Sequence, residues 1–210
     1  MFVITADQID SRNDHDRARE MIAQLVAQSP NAFSLPPDQT AGDEIQLLVS
    51  AADRTLDAIL ALHRSGHWSV GLGVGTVRTP LPASTRQATG GAFIAARDAV
   101  LRAKRTEAHF ALEVSQTDAA APGIEALLTM LLLLRQRRTP HGWQAGDLFE
   151  SGLAQTDIAA SLGITTGAVS QRLKAAQYRV EQAARPALVR LLEQLDHGPN
   201  HGPNETDTTA

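Results

Sequence analysis

The chain has 210 residues, 43% hydrophobic and 20% charged, which is typical of a globular protein of one or two domains. It contains no cysteine, and this excludes a disulfide framework, a thiolate zinc site and a cysteine nucleophile. No basic segment leads into an apolar stretch at the N-terminus, and the longest apolar run, at 130–134, is too short to span a membrane. We therefore expect a cytoplasmic protein with no membrane part.

Residues 1–114 predict an α+β domain with the element order β-α-β-β-α-β-α-β. Strands are predicted over residues 2–5, 32–35, 44–50, 68–77 and 109–114. Helices are predicted over residues 14–28, 53–64 and 91–105. Serine and glycine line one face of the strand at 68–77, so a backbone or a ligand can approach that face closely. This element order favours a ferredoxin-like sandwich.

Residues 115–122 are small and polar and predict a linker, after which every predicted element is helical. Helices are predicted over residues 124–136, 142–150, 155–162 and 166–181, and Pro186 marks either a kink or a new helix over 186–194. Together they give an all-α domain over 123–196. Leucines surround the helix at 124–136 almost completely, so we expect a second chain to cover part of it in a homodimer. The tail at 197–210 cannot bury apolar surface and is predicted to be disordered.

Within the helical domain, residues 154–176 have the pattern of a helix-turn-helix. Gly163 stands where a tight turn needs a positive φ, and Thr165 can cap the second helix. The inward-facing positions of the two helices are apolar: Ile158, Ala159, Leu162, Val169, Leu173 and Ala176. An ordinary helical hairpin with a solvated polar face is the alternative. The turn glycine, the small Ala159 and the Val-x-x-x-Leu spacing occur together, and their combination favours DNA binding.

The outward face of the second helix suits the major groove of DNA, because short polar side chains at its start are followed by glutamine and lysine. The predicted DNA-binding residues are Thr165, Thr166, Gly167, Ser170, Gln171, Arg172 and Lys174. Residues 122–196 carry a net charge of +1 within a chain of net −4, which is compatible with a small binding patch. We expect further arginines to reach phosphates: Arg135, Arg137, Arg138 and Arg179. Residues 142–176 locally resemble the helix-turn-helix of LuxR-type regulators and of sigma-factor regions that read −35 elements.

Two acidic clusters lie at turns that are neighbours in a ferredoxin-like sheet. Asp7 and Asp10 follow the first strand, and Asp43 and Glu44 lie between the second and third strands. Converging carboxylates at this place can hold Mg²⁺ over a nucleotide phosphate. The alternative is that Asp10, Asp43 and Glu44 are only turn and cap residues, a role that aspartate favours.

Four segments, followed by the helix-turn-helix, resemble the SatD family along most of the chain: ADQIDSR (6–12), TAGDEIQLL (40–48), WSVGLGVGTV (68–77) and GGAFIAARDAV (90–100). More distantly they resemble class III nucleotide cyclases, and AGDEI (41–45) is similar to the signature of diguanylate cyclases. The cyclase resemblance implies metal-binding aspartates at Asp7 and Asp43. It also implies a purine-selecting residue at Gln39, a transition-state arginine at Arg97 and a catalytic asparagine at the position of Phe93.

Phenylalanine cannot replace a catalytic asparagine, so the resemblance favours a degenerate cyclase-like domain rather than an enzyme. We therefore expect a homodimeric transcriptional regulator that binds DNA through residues 154–176. Its N-terminal domain would serve as a dimerisation unit or as a sensor that binds Mg²⁺ and a purine nucleotide. The alternative is an active nucleotide cyclase or nucleotidyltransferase with an appended helix-turn-helix.

Overall fold

A computed structural model of the chain describes residues 1–11, 14–40 and 42–198. The chain divides into two compact units, of which the second is Leu127–Leu188 and the first contains the remaining residues. Part of the predicted linker is helical, since a helix begins at Ala121. The predicted disordered tail lies, from residue 199 onward, outside the described residues.

The first unit is built on a five-stranded mixed sheet with helices packed against it. Its strands are β1 (Phe2–Gln8), β2 (Asp38–Gln39), β3 (Glu44–Val49), β4 (Trp68–Val74) and β5 (Phe110–Val114). Its helices are α1 (Ala18–Gln28), α2 (Ala52–Ser65) and α3 (Gly91–Ala103), with a 3₁₀ turn at Thr85–Gln87. The strand order is β2-β3-β1-β4-β5, in which β4 and β5 are parallel and all other neighbours are antiparallel. The predicted mixture of helices and strands is confirmed.

The second strand does not lie where the sequence predicted it. Residues 32–35 make only an isolated bridge, between Phe33 and Val49, and the strand that pairs with β3 is Asp38–Gln39. Ala32 and Leu35 are nevertheless buried. The apolar residues at 32–35 therefore indicate burial in the core and not a β-strand. The next two residues are Pro36 and Pro37, and proline has no N–H to donate to a neighbouring strand. Regular pairing with β3 therefore begins only after them, at Asp38.

The glycine face of β4 is covered by the backbone of α3. A Cβ atom on Gly71 would lie 2.2 Å from the backbone nitrogen of Val100, and one on Gly73 would lie 2.2 Å from the carbonyl oxygen of Ala92. Because such distances are impossible for real atoms, only glycine allows the helix to approach this closely. The sequence predicted that either a backbone or a ligand approaches the glycine face of this strand, and in the structure the backbone of α3 does so.

The second unit consists of helices. It contains the end of α4 (Ala121–Gln136), then α5 (Pro140–Glu150), α6 (Gln155–Leu162) and α7 (Thr166–Ala175), and the start of α8 (Tyr178–His197). A buried apolar cluster joins α5, α6, α7 and the start of α8, with Ala145, Ile158, Ala159, Val169, Leu173 and Tyr178 as its members. Burying each of the larger side chains in this cluster stabilises the folded state by about 1.5–3 kcal/mol relative to leaving it exposed.

The predicted continuous helix over residues 166–181 is wrong. Gln177 has φ = +52°, a left-handed conformation that ends α7 and lets the chain start α8 in a new direction. Tyr178 fixes this start, because it is buried and its ring packs edge-on against Phe149 at a centroid distance of 5.6 Å. Of the two possibilities predicted at Pro186, a kink or a new helix, the new helix is excluded, since Pro186 lies inside α8. There it removes one backbone hydrogen bond without ending the helix.

No helix among the described residues has both the length and the apolar composition that a bilayer crossing requires.

Candidate functional site

The turn between α6 and α7 is fixed by local hydrogen bonds. Gly163 has φ = +64°, and the Ile164 N–H donates to the carbonyl oxygen of Ala159 at 3.0 Å. Thr165 Oγ1 accepts from the backbone N–H of Ala168 at 3.1 Å and so caps α7. The turn glycine and the threonine cap predicted from the sequence are both confirmed.

The inner faces of α6 and α7 are apolar and buried, as the sequence predicted. Five of the six predicted positions are buried, namely Ile158, Ala159, Val169, Leu173 and Ala176. The sixth, Leu162, is half-buried and packs at the edge of the same cluster. The two helices therefore form a frame that holds the outer face of α7 in a fixed orientation within the second unit.

The outer face of α7 is polar and exposed. Six of the seven predicted interface residues are exposed, namely Thr165, Thr166, Gly167, Ser170, Gln171 and Lys174, and Arg172 is half-buried. Positions 167, 170, 171 and 174 follow helical spacing and share one side of the helix. The sequence of α7, TGAVSQRLKA, contains no acidic residue. The structure thus brings Gly167, Ser170, Gln171 and Lys174 together on one exposed face, on which Lys174 supplies the charge.

Two of the arginines expected to reach phosphates are buried instead. The side chains of Arg135 and Arg138 are 8% and 3% exposed, and both guanidinium groups bind the carboxylate of Glu181, which is 2% exposed. The expectation that Arg135 and Arg138 contact DNA is therefore wrong. Arg137 and Arg179 are exposed and remain candidates for phosphate contacts.

This buried arginine–glutamate cluster connects the parts of the second unit. Arg138 Nε donates to the carbonyl oxygen of Ala176, just after α7, at 2.7 Å. The guanidinium carbons of Arg135 and Arg138 lie 4.7 and 4.8 Å from the ring centroid of Trp143. Burial lowers the pKa of Arg135 to about 10, which leaves the guanidinium charged at neutral pH. The cluster therefore ties α4, α5, the end of α7 and α8 together through charged hydrogen bonds.

At the acidic end of β1, basic residues of the first unit already neutralise two carboxylates. Asp7 and Glu44 are cross-strand neighbours on β1 and β3. Lys104 Nζ lies 2.8 Å from Asp7 Oδ2, and Arg97 Nη2 lies 3.4 Å from Glu44 Oε1. Lys104 could not be recognised from the sequence as the partner of Asp7, because it lies 97 positions away and belongs to no recognisable motif.

The predicted magnesium site at Asp7 and Asp43 stays a prediction. Asp43 lies in the turn before β3, and its carbonyl oxygen accepts from the N–H of Gln8 at 3.3 Å. Within residues 1–11, 14–40 and 42–198, no three histidine, aspartate or glutamate side chains are grouped as a metal site would need. Asp10 has φ = +54°, the conformation of a turn residue.

The two residues that the cyclase resemblance assigned to a nucleotide lie on opposite faces of the sheet. Gln39 Nε2 donates to Asp16 Oδ2 at 2.9 Å, and its cross-strand neighbour is the buried Ile45. Arg97 contacts Glu44, the residue before Ile45, whose side chain points to the other face. The structure therefore does not bring Gln39 and Arg97 of one chain into a single pocket.

Phe93 occupies the position at which the cyclase resemblance implies a catalytic asparagine. Its side chain is 8% exposed and packs with Val3 and Leu48 in an apolar cluster. A phenyl ring has no group that can donate or accept a conventional hydrogen bond, so it cannot orient a reacting group as an amide does.

No protein-family model, no curated protein and no solved structure matches the chain.

Proposed function

We propose that this chain is a DNA-binding transcriptional regulator and that α7 is its recognition helix. The observation that carries the proposal is the exposed polar face of α7, held by a capped turn and a buried apolar frame. A helix of 10 residues is about 15 Å long and fits the major groove, which is about 12 Å wide. Gln171 and Lys174 offer the amide and ammonium groups that hydrogen-bond to base edges, and Thr165 and Thr166 lie at the helix start, near the backbone phosphates.

For the first unit, we propose a ferredoxin-like, cyclase-like domain of the SatD type that senses a ligand or supports dimerisation. The strand order β2-β3-β1-β4, with β1 antiparallel to both of its neighbours, supports this proposal. The fifth strand, β5, extends this arrangement at one edge. The buried Phe93 argues against the alternative of an active cyclase.

Alanine substitution of Gln171 or Lys174 is expected to weaken specific DNA binding by about 1–3 kcal/mol each, or about 5- to 150-fold in Kd. Each substitution removes a side chain that reads a base, while the fold of α7 is unaffected because both positions are exposed. The measurement is a fluorescence-anisotropy titration of a labelled duplex selected by the wild-type protein from a random pool.

Gln194→Ala and Arg190→Ala serve as matched controls for this titration, because both residues are exposed and lie on α8. They should bind the selected duplex as the wild type does. The proposal fails if no sequence is enriched from the pool, or if the α7 variants and the α8 variants lose the same affinity.

We also propose that the protein acts as a homodimer through α4. Leu127 and Met130 on this helix are 41% and 62% exposed, which is unusual for large apolar side chains one turn apart. Light scattering is expected to give twice the chain mass of 22.4 kDa. Met130→Glu should shift the protein to the monomer mass, whereas Ile94→Glu, at an exposed position of α3, should leave it dimeric. A wild-type monomer at micromolar concentration would refute the dimer.

A further inference from the structure

A groove of about 1120 Å³ runs beside the start of α3 in the first unit. Its charged lining consists of three arginines, Arg78, Arg86 and Arg97, and no carboxylate is among the described residues that line it. Phe93 and Ile94 supply an apolar wall. A concave site with a few convergent polar groups and an apolar wall is the usual form of a small-molecule pocket, and the arginines select for an anion.

Gln46 lines this groove, and its amide is a polar group on the groove wall. Its residue is 8% exposed, and its side-chain amide makes no hydrogen bond to any residue that the structure describes. The residue as a whole is largely buried and lines the groove, so the groove is where its amide can find a hydrogen-bond partner. A ligand in the groove would supply the missing hydrogen bonds.

Two of the three arginines of the groove, Arg78 and Arg86, belong to an anchored loop. Arg86 makes two hydrogen bonds to the carboxylate of Asp38, at 2.7 and 2.6 Å, and this pairing raises its own pKa and lowers that of Asp38. The Arg78 N–H donates to the carbonyl oxygen of Thr89 at 2.8 Å, which fixes the two sides of the loop. The guanidinium of Arg78 is exposed and pairs with no described carboxylate, so it is available for an anion.

The start of α3 adds further donors to the same groove. No side chain caps this helix, and its first turn contains no acidic residue. Gly90 and Gly91 line the groove there, and the Gly91 N–H has no acceptor among the described residues. This one N–H and the helix dipole favour negative charge at this point, whereas the next N–H, that of Ala92, donates to the carbonyl oxygen of Thr76 at 3.1 Å.

We propose that this groove binds a phosphate-bearing small molecule. Arg78 and the Gly91 N–H hold the phosphate, and Gln46 hydrogen-bonds to a polar group on the rest of the ligand. Arg97, whose Nη2 lies 3.4 Å from Glu44 Oε1, adds positive charge beside the phosphate. The ligand class follows from the donors, because guanidinium groups and helix N-termini are the usual partners of phosphate oxygens. The inference does not depend on DNA binding, which concerns the second unit.

Isothermal titration of the full chain with pyrophosphate and with ATP, in about 0.15 M salt to screen unspecific attraction, tests the proposal. We expect at least one of the two to bind and Arg78→Gln to weaken that binding by about tenfold or more. Arg105→Gln, which removes an exposed arginine outside the groove, should bind as the wild type does. Binding of pyrophosphate indicates an inorganic ligand, and binding of ATP alone indicates an organic phosphate.

Gln46→Met gives a second, independent readout. Methionine has a similar shape and no amide, so the ligand-free variant should be about as stable as the wild type, because no hydrogen bond to a described residue is lost. Its affinity for ATP should fall relative to its affinity for pyrophosphate if ATP is bound. Absence of heat with both probes, or equal binding by the wild type and Arg78→Gln, overturns the proposal.

Discussion

Replacing Glu181 by glutamine is expected to lower the free energy of unfolding by about 3–5 kcal/mol. The variant keeps the shape of the side chain but removes the negative charge that Arg135 and Arg138 share. Two guanidinium groups would then remain buried side by side and repel each other without the carboxylate charge between them. Chemical denaturation followed by far-UV circular dichroism measures the change.

Glu193→Gln is the control for this prediction, since Glu193 lies on the same helix and is exposed. It should change the stability by no more than about 0.5 kcal/mol. A simultaneous replacement of Arg135, Arg138 and Glu181 by apolar residues should recover much of the loss, because no unpaired charge remains. If Glu181→Gln unfolds at the same denaturant concentration as the wild type, the buried ion pairs do not stabilise the second unit.

The first unit has an equally sensitive position at the contact between β4 and α3. Gly73→Ala is expected to destabilise it by about 3 kcal/mol or more, because the added methyl group would meet backbone atoms and not a flexible side chain. The strand and the helix would both have to move apart, which loosens the packing of Ala92 and Ala96 against the sheet. Thermal unfolding of the full chain measures the effect.

Gly123→Ala is the matched control, because nothing lies within 4 Å of a Cβ atom built on Gly123 in α4. Alanine is the better helix former, so this variant should be as stable as the wild type or up to about 1 kcal/mol more stable. Equal losses from Gly73→Ala and Gly123→Ala would show that close packing is not the reason for glycine in β4.

Features that depend on nearby residues could be predicted from the sequence. The turn at Gly163 and the cap at Thr165 follow from backbone chemistry within a few residues. The element order of the first unit follows from apolar periodicity, although the second strand was placed too early because buried residues next to prolines resemble a strand. The end of α7 was missed since Gln177 carries no turn signal comparable to glycine.

Features that depend on distant residues could not be predicted. Arginine is rarely buried, and nothing near Arg138 indicates that Glu181, 43 positions later, will neutralise it. The ion pair between Lys104 and Asp7 is equally remote in sequence. The likeness to cyclases placed candidate residues along the chain but gave no information about the face of the sheet on which Gln39 and Arg97 lie.

The most direct test of DNA binding by α7 is an NMR titration of the ¹⁵N-labelled full chain with the duplex that it selects from a random pool. If α7 is the recognition helix, the largest amide shifts occur at residues 165–174, on the exposed polar face of α7 and at its start. A duplex that leaves these amides unchanged, or that shifts only amides of the first unit, would contradict the assignment of α7 as the recognition helix.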